Sequence, residues 1–498
     1  MRENCTCGSV RGNRQAFHYK KNFERSVEIV YSTDYFMFVG RKNEIEKIND
    51  FFCDPRKRAA LIYGKRRVGK STLVQKAAEH FDGVVINYLS IVAPFKLNLD
   101  SLSELVLSSF GESGDYSFSS IDSIISYLNG KNQKVLLVID EYQYFKKGTT
   151  EFNLDSAFQR AIDSGLSDNV KLIISGSFIS MMLELLDGDN PLYDRFSLIL
   201  HLEEMDYYDS FKFFQTSDIT EKVKLYSVFG GSPNVLEVID VTKSLRENII
   251  TLLLDKNAYL KSYIENDLLL EFKNLYNLKG VLSVLGNGKK RFTEISDKLG
   301  NLNPALLLKT LETLQEVGVI NALFPINKEG NKKYKFYEIS NNLVRFYYEY
   351  IYKNQSRLLF SGPEVFYSQL IEPRLDEFIS HRFENLVKEY FSRAVRTGNE
   401  DPKIEAVGSY WYDDRHACEN GEFDCVLKKQ NSYTVFEVKF LKNKITLALA
   451  KKEEEKIRSI PELAIDKIGF VSINGFDFFC DDYIEISGCD LVKKELDE

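Results

Sequence analysis

The sequence predicts an α/β protein in three parts, and three observations predict it. Short apolar runs at 59–63, 84–89, 135–139 and 171–175 alternate with helical patterns from 37 to about 240, as in a parallel sheet covered by helices. Residues 241–350 are mostly helical and close on a β-hairpin pattern, "INALFPINKEGNKKYKFYEI", with Glu329-Gly330 near its turn. Residues 370–498 return to a long helix, several strands and another helix. A chain of 498 residues has room for about three such domains, each with its own core.

The flanks of these parts follow from composition. Residues 1–36 mix charges, Asn and Ser with isolated aromatics and keep no period, which reads as a disordered extension or a misassigned start. The first domain then starts near Met37, where "MFVGRKNEIEKINDFF" puts Ile45, Ile48 and Phe51-Phe52 on one helix face. "QSRLLFSGPE" reads as the linker ahead of the last part. Hydrophobic content of 44% and charged content of 28% suit a soluble globular protein. No apolar run approaches the ~18 residues of a membrane span, and no apolar leader precedes a cleavage site, so a cytoplasmic protein without membrane partners is expected. Seven scattered cysteines fit reduced thiols, and the lone Cys5-x-Cys7 pair lacks the second pair a zinc site needs. A net charge of −8 argues against indiscriminate coating of nucleic acid while leaving room for a local basic groove.

The stretch "AALIYGKRRVGKSTLVQKAAEHF" places G-x-x-x-x-G-K-[ST] between an apolar strand and a helix. Gly64, Lys65, Arg66, Arg67, Val68, Gly69, Lys70, Ser71 and Thr72 form this turn and the helix start. Free backbone N–H groups and the helix dipole then point at one spot, which makes an anion cradle. Lys70 adds a charge for the β- and γ-phosphates, and the Ser71 hydroxyl is placed to ligate Mg²⁺, so the expected cofactors are ATP and Mg²⁺. "KVLLVIDEYQYF" supplies the partner strand, ending in Asp140 to hold Mg²⁺ and Glu141 to polarise the attacking water. Ligands of parallel sheets sit at that strand end, and phosphoryl transfer needs positioning and charge more than covalent chemistry.

Two further pieces belong with it. "VKLIISGSFISMM" ends a buried strand in Ser175-Gly176-Ser177, where Ser175 is the polar side chain expected to sense the γ-phosphate. "NPLYDRF" puts Arg195 in a loop, as a cation for developing phosphate charge in cis, or in trans within a homo-oligomer. Gly40-Arg41 and Glu44 begin the domain against the adenine or the phosphate loop. "VFGGSPNVLEVI" sets Gly230-Gly231 and Pro233 at a helix start, as the hinge of a lid.

In this order, "FVGRKNEI", "YGKRRVGKSTL", "LVIDEYQY", "ISGSFISMM", "PLYDR" and "GGSPNVL" resemble the prokaryotic archaeal-type ATPases of the AAA+/STAND group of P-loop NTPases. In that family the C-terminal part resembles a PD-(D/E)XK nuclease domain. The resemblance covers roughly residues 37 to 490. The chain departs from it in the 36 residues ahead of the motif and in Asp194, where the family tends to have glycine before the loop arginine.

Between the two, "VLSVLGNGKKRFTEISDKLGNLNPALLLKTLETLQEVGVINALFPI" reads as a winged helix, with Thr293-Glu294 beginning its second helix and Asn303-Pro304 its third. Such a module commonly puts its third helix in a DNA groove. Here that helix offers Lys309 as its one cation, beside Glu312 and Glu316. The wing, with Lys328, Lys332, Lys333 and Lys335, is the better surface for phosphates. A packing module that couples the two flanking domains is the equal alternative.

The last part carries a second set of charges. In "GEFDCVLKKQNSYTVFEVKFL", Asp424 ends one arm of a hairpin and Glu437-Val438-Lys439 lies on the next strand. Period-two alternation puts Glu437 and Lys439 on one face and Val438 on the other. Two carboxylates on a metal with a lysine beside the water describe a phosphodiesterase site. Glu384, on the amphipathic helix "LDEFISHRFENLVKEYF", is a third candidate ligand. The order helix, strands, helix, strand agrees with a restriction-endonuclease-like core, and "VGSYWYDDR" resembles the family's segment before its first acidic residue. The expectation is an ATPase whose nucleotide state controls a winged-helix and nuclease-like tail acting on DNA. The alternative is a STAND-like signalling switch whose inactive tail binds a partner.

Overall fold

The computed structural model describes residues 38–493 except 113–115, 149–152, 272–274, 301 and 415–418. The extension read at 1–36 and the Cys5/Cys7 pair lie outside the described residues. The chain from Arg41 onward forms one unit, which is described from here.

Its first layer is a five-stranded parallel sheet: β1 (Ala59–Tyr63), β2 (Val84–Leu89), β3 (Val135–Asp140), β4 (Val170–Gly176) and β5 (Leu198–His201). All residues of β1, β3 and β4 are buried, which is why they read as unbroken apolar runs rather than alternations. The strand order is β2-β3-β4-β1-β5, and every pair is parallel. The fifth strand is missing from the sequence-based strands because it has only four residues, and its apolar run Leu198–Leu200 is short and mostly not buried.

The winged helix has helices Leu275–Leu285, Phe292–Lys298 and Pro304–Glu316. The Asn303 side chain accepts from Ala305 and Leu306 N–H, and Pro304 fills the first helical position. Its sheet joins β6 (Lys290–Arg291), β7 (Ile320–Leu323) and β8 (Phe336–Ile339) in the order β6-β8-β7, all antiparallel. The stretch read as a linker is instead helical, at Gln355–Ser361 and Pro363–Phe366. Gly362, at φ 76°, separates the two helices, and Leu358 and Phe366 are buried. Small polar residues there mark a sharp turn between helices rather than an unstructured tether.

The C-terminal part opens with the 25-residue helix Glu372–Arg396, which lies on a second five-stranded sheet. That sheet contains β9 (Ala406–Asp414), β10 (Glu419–Lys428), β11 (Tyr433–Lys439), β12 (Ile465–Ser472) and β13 (Tyr483–Ser487) in simple order. The first three are an antiparallel meander, whereas β12 and β13 add in parallel after the crossover helix Leu447–Arg458. Phe391 and Phe383 fix the long helix to the sheet, with ring centroids 4.4 Å from Phe436 and 5.5 Å from Phe440. Among the described residues no helix is long and apolar enough to cross a membrane.

The winged helix touches both neighbours. Its wing lies along β9, the edge of the C-terminal sheet. Ile326 N donates to Ser409 O at 2.8 Å, and Asn327 exchanges hydrogen bonds with the Trp411 backbone at 2.7 and 3.1 Å. Covering an edge strand this way removes its unpaired backbone groups from solvent.

Candidate functional site

The parallel sheet decides which residues meet at the phosphate loop. Because β4 lies between β1 and β3, the ends of all three strands come together beside the loop that follows β1. Ser71 Oγ donates to Asp140 Oδ2 at 2.5 Å, and the Ser175 hydroxyl donates to the other oxygen of the same carboxylate. Ser175 therefore holds Asp140. Both are buried, at 0% and 5% exposure, so the carboxylate is fixed from two sides.

The loop is shaped by glycine where nothing else fits. A Cβ on Gly64 would lie 2.1 Å from the Leu202 carbonyl oxygen. Gly69 caps the helix Lys70–Ala78 at φ 92°, and Pro233 Cγ lies 3.9 Å from where its Cβ would be. The Gly230-Gly231-Pro233 segment thus packs against the phosphate loop. Lys70 is buried and donates from Nζ to the carbonyls of Gly64 at 2.9 Å and Lys65 at 2.8 Å. Arg41 donates to Val68 O at 3.3 Å and to Glu203 O, bracing the loop from behind. Its placement against the loop is one of the two options the sequence left open.

Three loop residues expected to bind nucleotide turn their side chains elsewhere. Lys65 Nζ donates to Gly318 O at 2.8 Å and lies 3.9 Å from Glu204. Arg66 donates to the Tyr144 hydroxyl and stacks over Phe178, 5.4 Å from its centroid. Arg67 bonds Tyr259 at 3.1 Å and lies over Tyr263 at 5.0 Å. The motif spacing fixes their backbone, but only the neighbouring elements decide where long cationic side chains go.

Arg195 requires a correction. It precedes β5, whose register with β1 pairs Ala60 with Leu198, so it sits at the N-terminal edge of the sheet. The phosphate loop lies at the opposite edge, a strand length of about 16 Å away at ~3.3 Å per residue. Its guanidinium is held by Asp163 at 2.9 Å and by Tyr193 O at 2.8 Å. Arg195 cannot serve its own nucleotide site.

Glu141 stands at φ 52°, in the left-handed region, as the N-cap of the helix Tyr142–Lys147. Two residues missing from the sequence-based site hold its carboxylate. Ser177 Oγ donates to Oε2 at 2.6 Å, and the Gln143 amide donates to the same oxygen. Their one signal in the sequence was polarity inside apolar surroundings, in D-E-x-Q and S-G-S.

In the C-terminal part, the register Cys425–Phe436 sets Asp424 opposite Glu437, and β10 is irregular between Phe423 and Val426. Burial, together with the nearby carboxylates of Glu384 and Glu437, pushes the Asp424 pKa up to about 7, with Lys388 opposing. Asp424, Glu384 and Lys388 line a large cleft whose other wall is the winged helix, through Lys289, Phe324 and Phe336. Its charges are mixed rather than uniformly basic. Glu437 is paired with Lys439 at 2.5 Å, and Glu384 lies 3.5 Å from His381 Nδ1. Among the described residues no three or more His, Cys, Asp or Glu side chains are arranged to hold a metal ion. As it stands, Glu437 and Glu384 are engaged by Lys439 and His381 rather than gathered with Asp424 into one ligand set.

Residues 38–239 match the family profile of an ATPase domain predominantly from Archaea. Residues 279–346 match an HxlR-like helix-turn-helix, and residues 347–457 a family of archaeal and bacterial proteins of unknown function. An uncharacterized protein of Methanocaldococcus jannaschii is 26% identical over 384 residues, covering 76% of this chain and 82% of the relative. Among solved structures, a Walker-type ATPase of Pyrococcus abyssi aligns at 19% identity over 62% of this chain and 96% of its own, with a TM-score of 0.44. The ORC2 protein of Aeropyrum pernix aligns at 14% identity over 66% and 98%, also at 0.44. The chain thus carries an archaeal-type ATPase domain followed by an HxlR-like helix-turn-helix region.

Proposed function

We propose that this chain binds ATP with Mg²⁺ at the Gly64–Thr72 loop, hydrolyses it, and uses its nucleotide state to control a nuclease-like C-terminal part acting on DNA in the cytoplasm. One observation carries the ATPase reading: Ser71, Asp140 and Ser175 form a single hydrogen-bonded set beside Glu141. The donors suit a hard cation, since a hydroxyl and a carboxylate oxygen lie side by side, and Ser71 and Asp140 would hold it. When bound, Mg²⁺ supplies charge neutralisation at the phosphates. Lys70 would exchange its loop carbonyls for phosphate oxygens, and Glu141 would accept a hydrogen bond from the attacking water. Arg195, at the far edge, is left for a neighbouring copy in a homo-oligomer. The position of β4 between β1 and β3 supports the AAA+/STAND placement.

Contacts on both sides of the winged helix support control through it: Lys65 on Gly318, and the wing on β9. The helix-turn-helix match and the exposed Lys332 and Lys333 at the wing support DNA as the target. The order of helix, antiparallel meander, helix and parallel strand supports a nuclease-like C-terminal fold.

A second reading, a regulatory switch whose tail binds a partner without cutting, is favoured by the Lys439–Glu437 pair and by a wing base already engaged on β9. Two measurements test these readings. In nucleotide titration and phosphate release, Lys70→Ala should lose ATP binding, while Glu141→Gln should bind ATP and stop turnover. Turnover by Glu141→Gln at the wild-type rate removes Glu141 from its role. In calorimetry with Mn²⁺ on the full chain, a heat lost in Asp424→Ala supports cleavage chemistry, and equal heats support the switch.

A further inference from the structure

Gln143 is a long polar side chain with 0% exposure, two residues beyond Glu141 and facing the end of β4. Its Nε2 donates to Glu141 and, at 3.0 Å, to Ser177 Oγ, while Ser177 Oγ donates to the same Glu141 oxygen at 2.6 Å. Its Oε1 is buried and makes no hydrogen bond among the described residues. Burying an amide oxygen without a partner is costly, and methionine or leucine would fill this space without that cost. The amide is therefore kept for its donors. The surroundings are also cut to admit it. A Cβ on Gly176 would lie 2.7 Å from Gln143 Oε1 and 2.4 Å from Met182 Sδ.

Glu141 takes a left-handed conformation that a non-glycine residue adopts only when its surroundings demand it. That kink turns the helix so that Gln143 comes back under Glu141. Both donors then converge on Oε2 and leave Oε1 as the oxygen available to a water. We propose that Gln143, with Ser177, is a positioning residue that locks the Glu141 carboxylate in the rotamer that orients the attacking water. The role rests on the ATP-hydrolysis reading and adds to it a residue pair that acts through Glu141 and does not touch the nucleotide.

The test uses the full chain and four variants: Gln143→Met, Ser177→Ala, Glu141→Gln and the Gln143→Met/Glu141→Gln double. Gln143→Met keeps the volume and removes the donors. Its kcat should fall about 10- to 100-fold, since misplacing a water-orienting group by an ångström costs rate on this scale. KM for ATP and the thermal midpoint should stay near wild type, and Ser177→Ala should show the same split. In the Glu141→Gln background, Gln143→Met should change whatever trace of turnover a long incubation detects by less than twofold, because its partner is gone. A purely structural role would lower the midpoint and would cut turnover equally in both backgrounds, and that result overturns the proposal. If Gln143→Met does not fold, Ser177→Ala decides by the same criteria. Wild-type protein that binds ATP without releasing phosphate overturns the ATPase reading and this proposal together. Wild-type turnover that depends on Glu141 but is unchanged in Gln143→Met and Ser177→Ala overturns the proposal alone.

Discussion

At Gly64 the missing side chain is a steric requirement, because the chain leaving β5 passes directly over the start of the phosphate loop. Leu202 N donates to Tyr63 O at 2.7 Å, and this bond brings the Leu202 carbonyl against Gly64. Gly64→Ala must push backbone away from backbone, at a cost of about 2–3 kcal/mol. The expected outcome is a lowered thermal midpoint together with loss of nucleotide binding, read by calorimetric unfolding and by titration with a fluorescent ATP analogue. The residues around this point were legible to different degrees. That Lys70 lies in the loop and Ser71 meets Asp140 was legible, because motif spacing and a strand end are local properties of the chain. Gln143 and Ser177 were not, because what joins them to Glu141 is the adjacency of β3 and β4, which sequence spacing does not encode. The cis option for Arg195 failed for a related reason. A loop near a motif in sequence can lie at either edge of the sheet, and the direction of β5 decides which.

Among the elements, the helix Glu372–Arg396 works as a joint between the C-terminal sheet and both parts before it. Arg382 donates to Asn342 at 2.8 Å, to Glu338 at 3.1 Å and to Ser340 O at 3.0 Å, all in the winged helix and the segment after it. Two turns further, Glu389 accepts from the Tyr226 hydroxyl at 3.0 Å and from Tyr207 N at 3.4 Å, and one turn beyond it Arg393 pairs with Asp206 at 2.6 Å. Burial and the Asp206 carboxylate push the Glu389 pKa up to about 7, against hydrogen bonds from Tyr226 and Tyr207 and the Arg382 charge. The folded protein therefore favours the neutral acid. The stability this contributes is full below the ordinary glutamate range and is lost as pH rises through about 7. The swing is on the order of 3 kcal/mol at most. Glu389→Gln should flatten it: between pH 5 and 8 on a thermal-shift series, roughly the range these pKa values span, the wild-type midpoint should fall more than the variant's. The sequence showed this helix clearly through its apolar stripe, but not its joint, since Asp206, Tyr226 and Asn342 are brought to it only by packing. The short helices at 355–366 were missed for the opposite reason, their composition resembling a tether although Leu358 and Phe366 are buried.

For the molecule as a whole, the decisive contact is small. The Gly318 carbonyl, just past the third helix of the winged helix, accepts from Lys65 Nζ at 2.8 Å and from Ser340 Oγ at 3.2 Å. The Ser340 carbonyl in turn accepts from Arg382. Asn341 adds a bond to Glu204 at 2.5 Å, beside the same lysine. Lys65→Ala should leave ATP affinity within a few-fold of wild type, because its side chain faces Gly318. It should speed deuterium exchange across 304–346 in the nucleotide-free protein, where a bond between the two parts has gone. Unchanged exchange in that segment would show that the contact holds nothing. The shared carbonyl also has a consequence for how the protein can be read from outside. Coupling between two binding sites is one free energy seen from both ends, so it has no preferred direction. If nucleotide alters the grip of Lys65 on Gly318, any ligand that draws the winged helix toward or away from the ATPase domain must alter nucleotide affinity by the same factor. A plain nucleotide titration, run with and without candidate nucleic acids or protein partners, would then report what the far end of the molecule has bound.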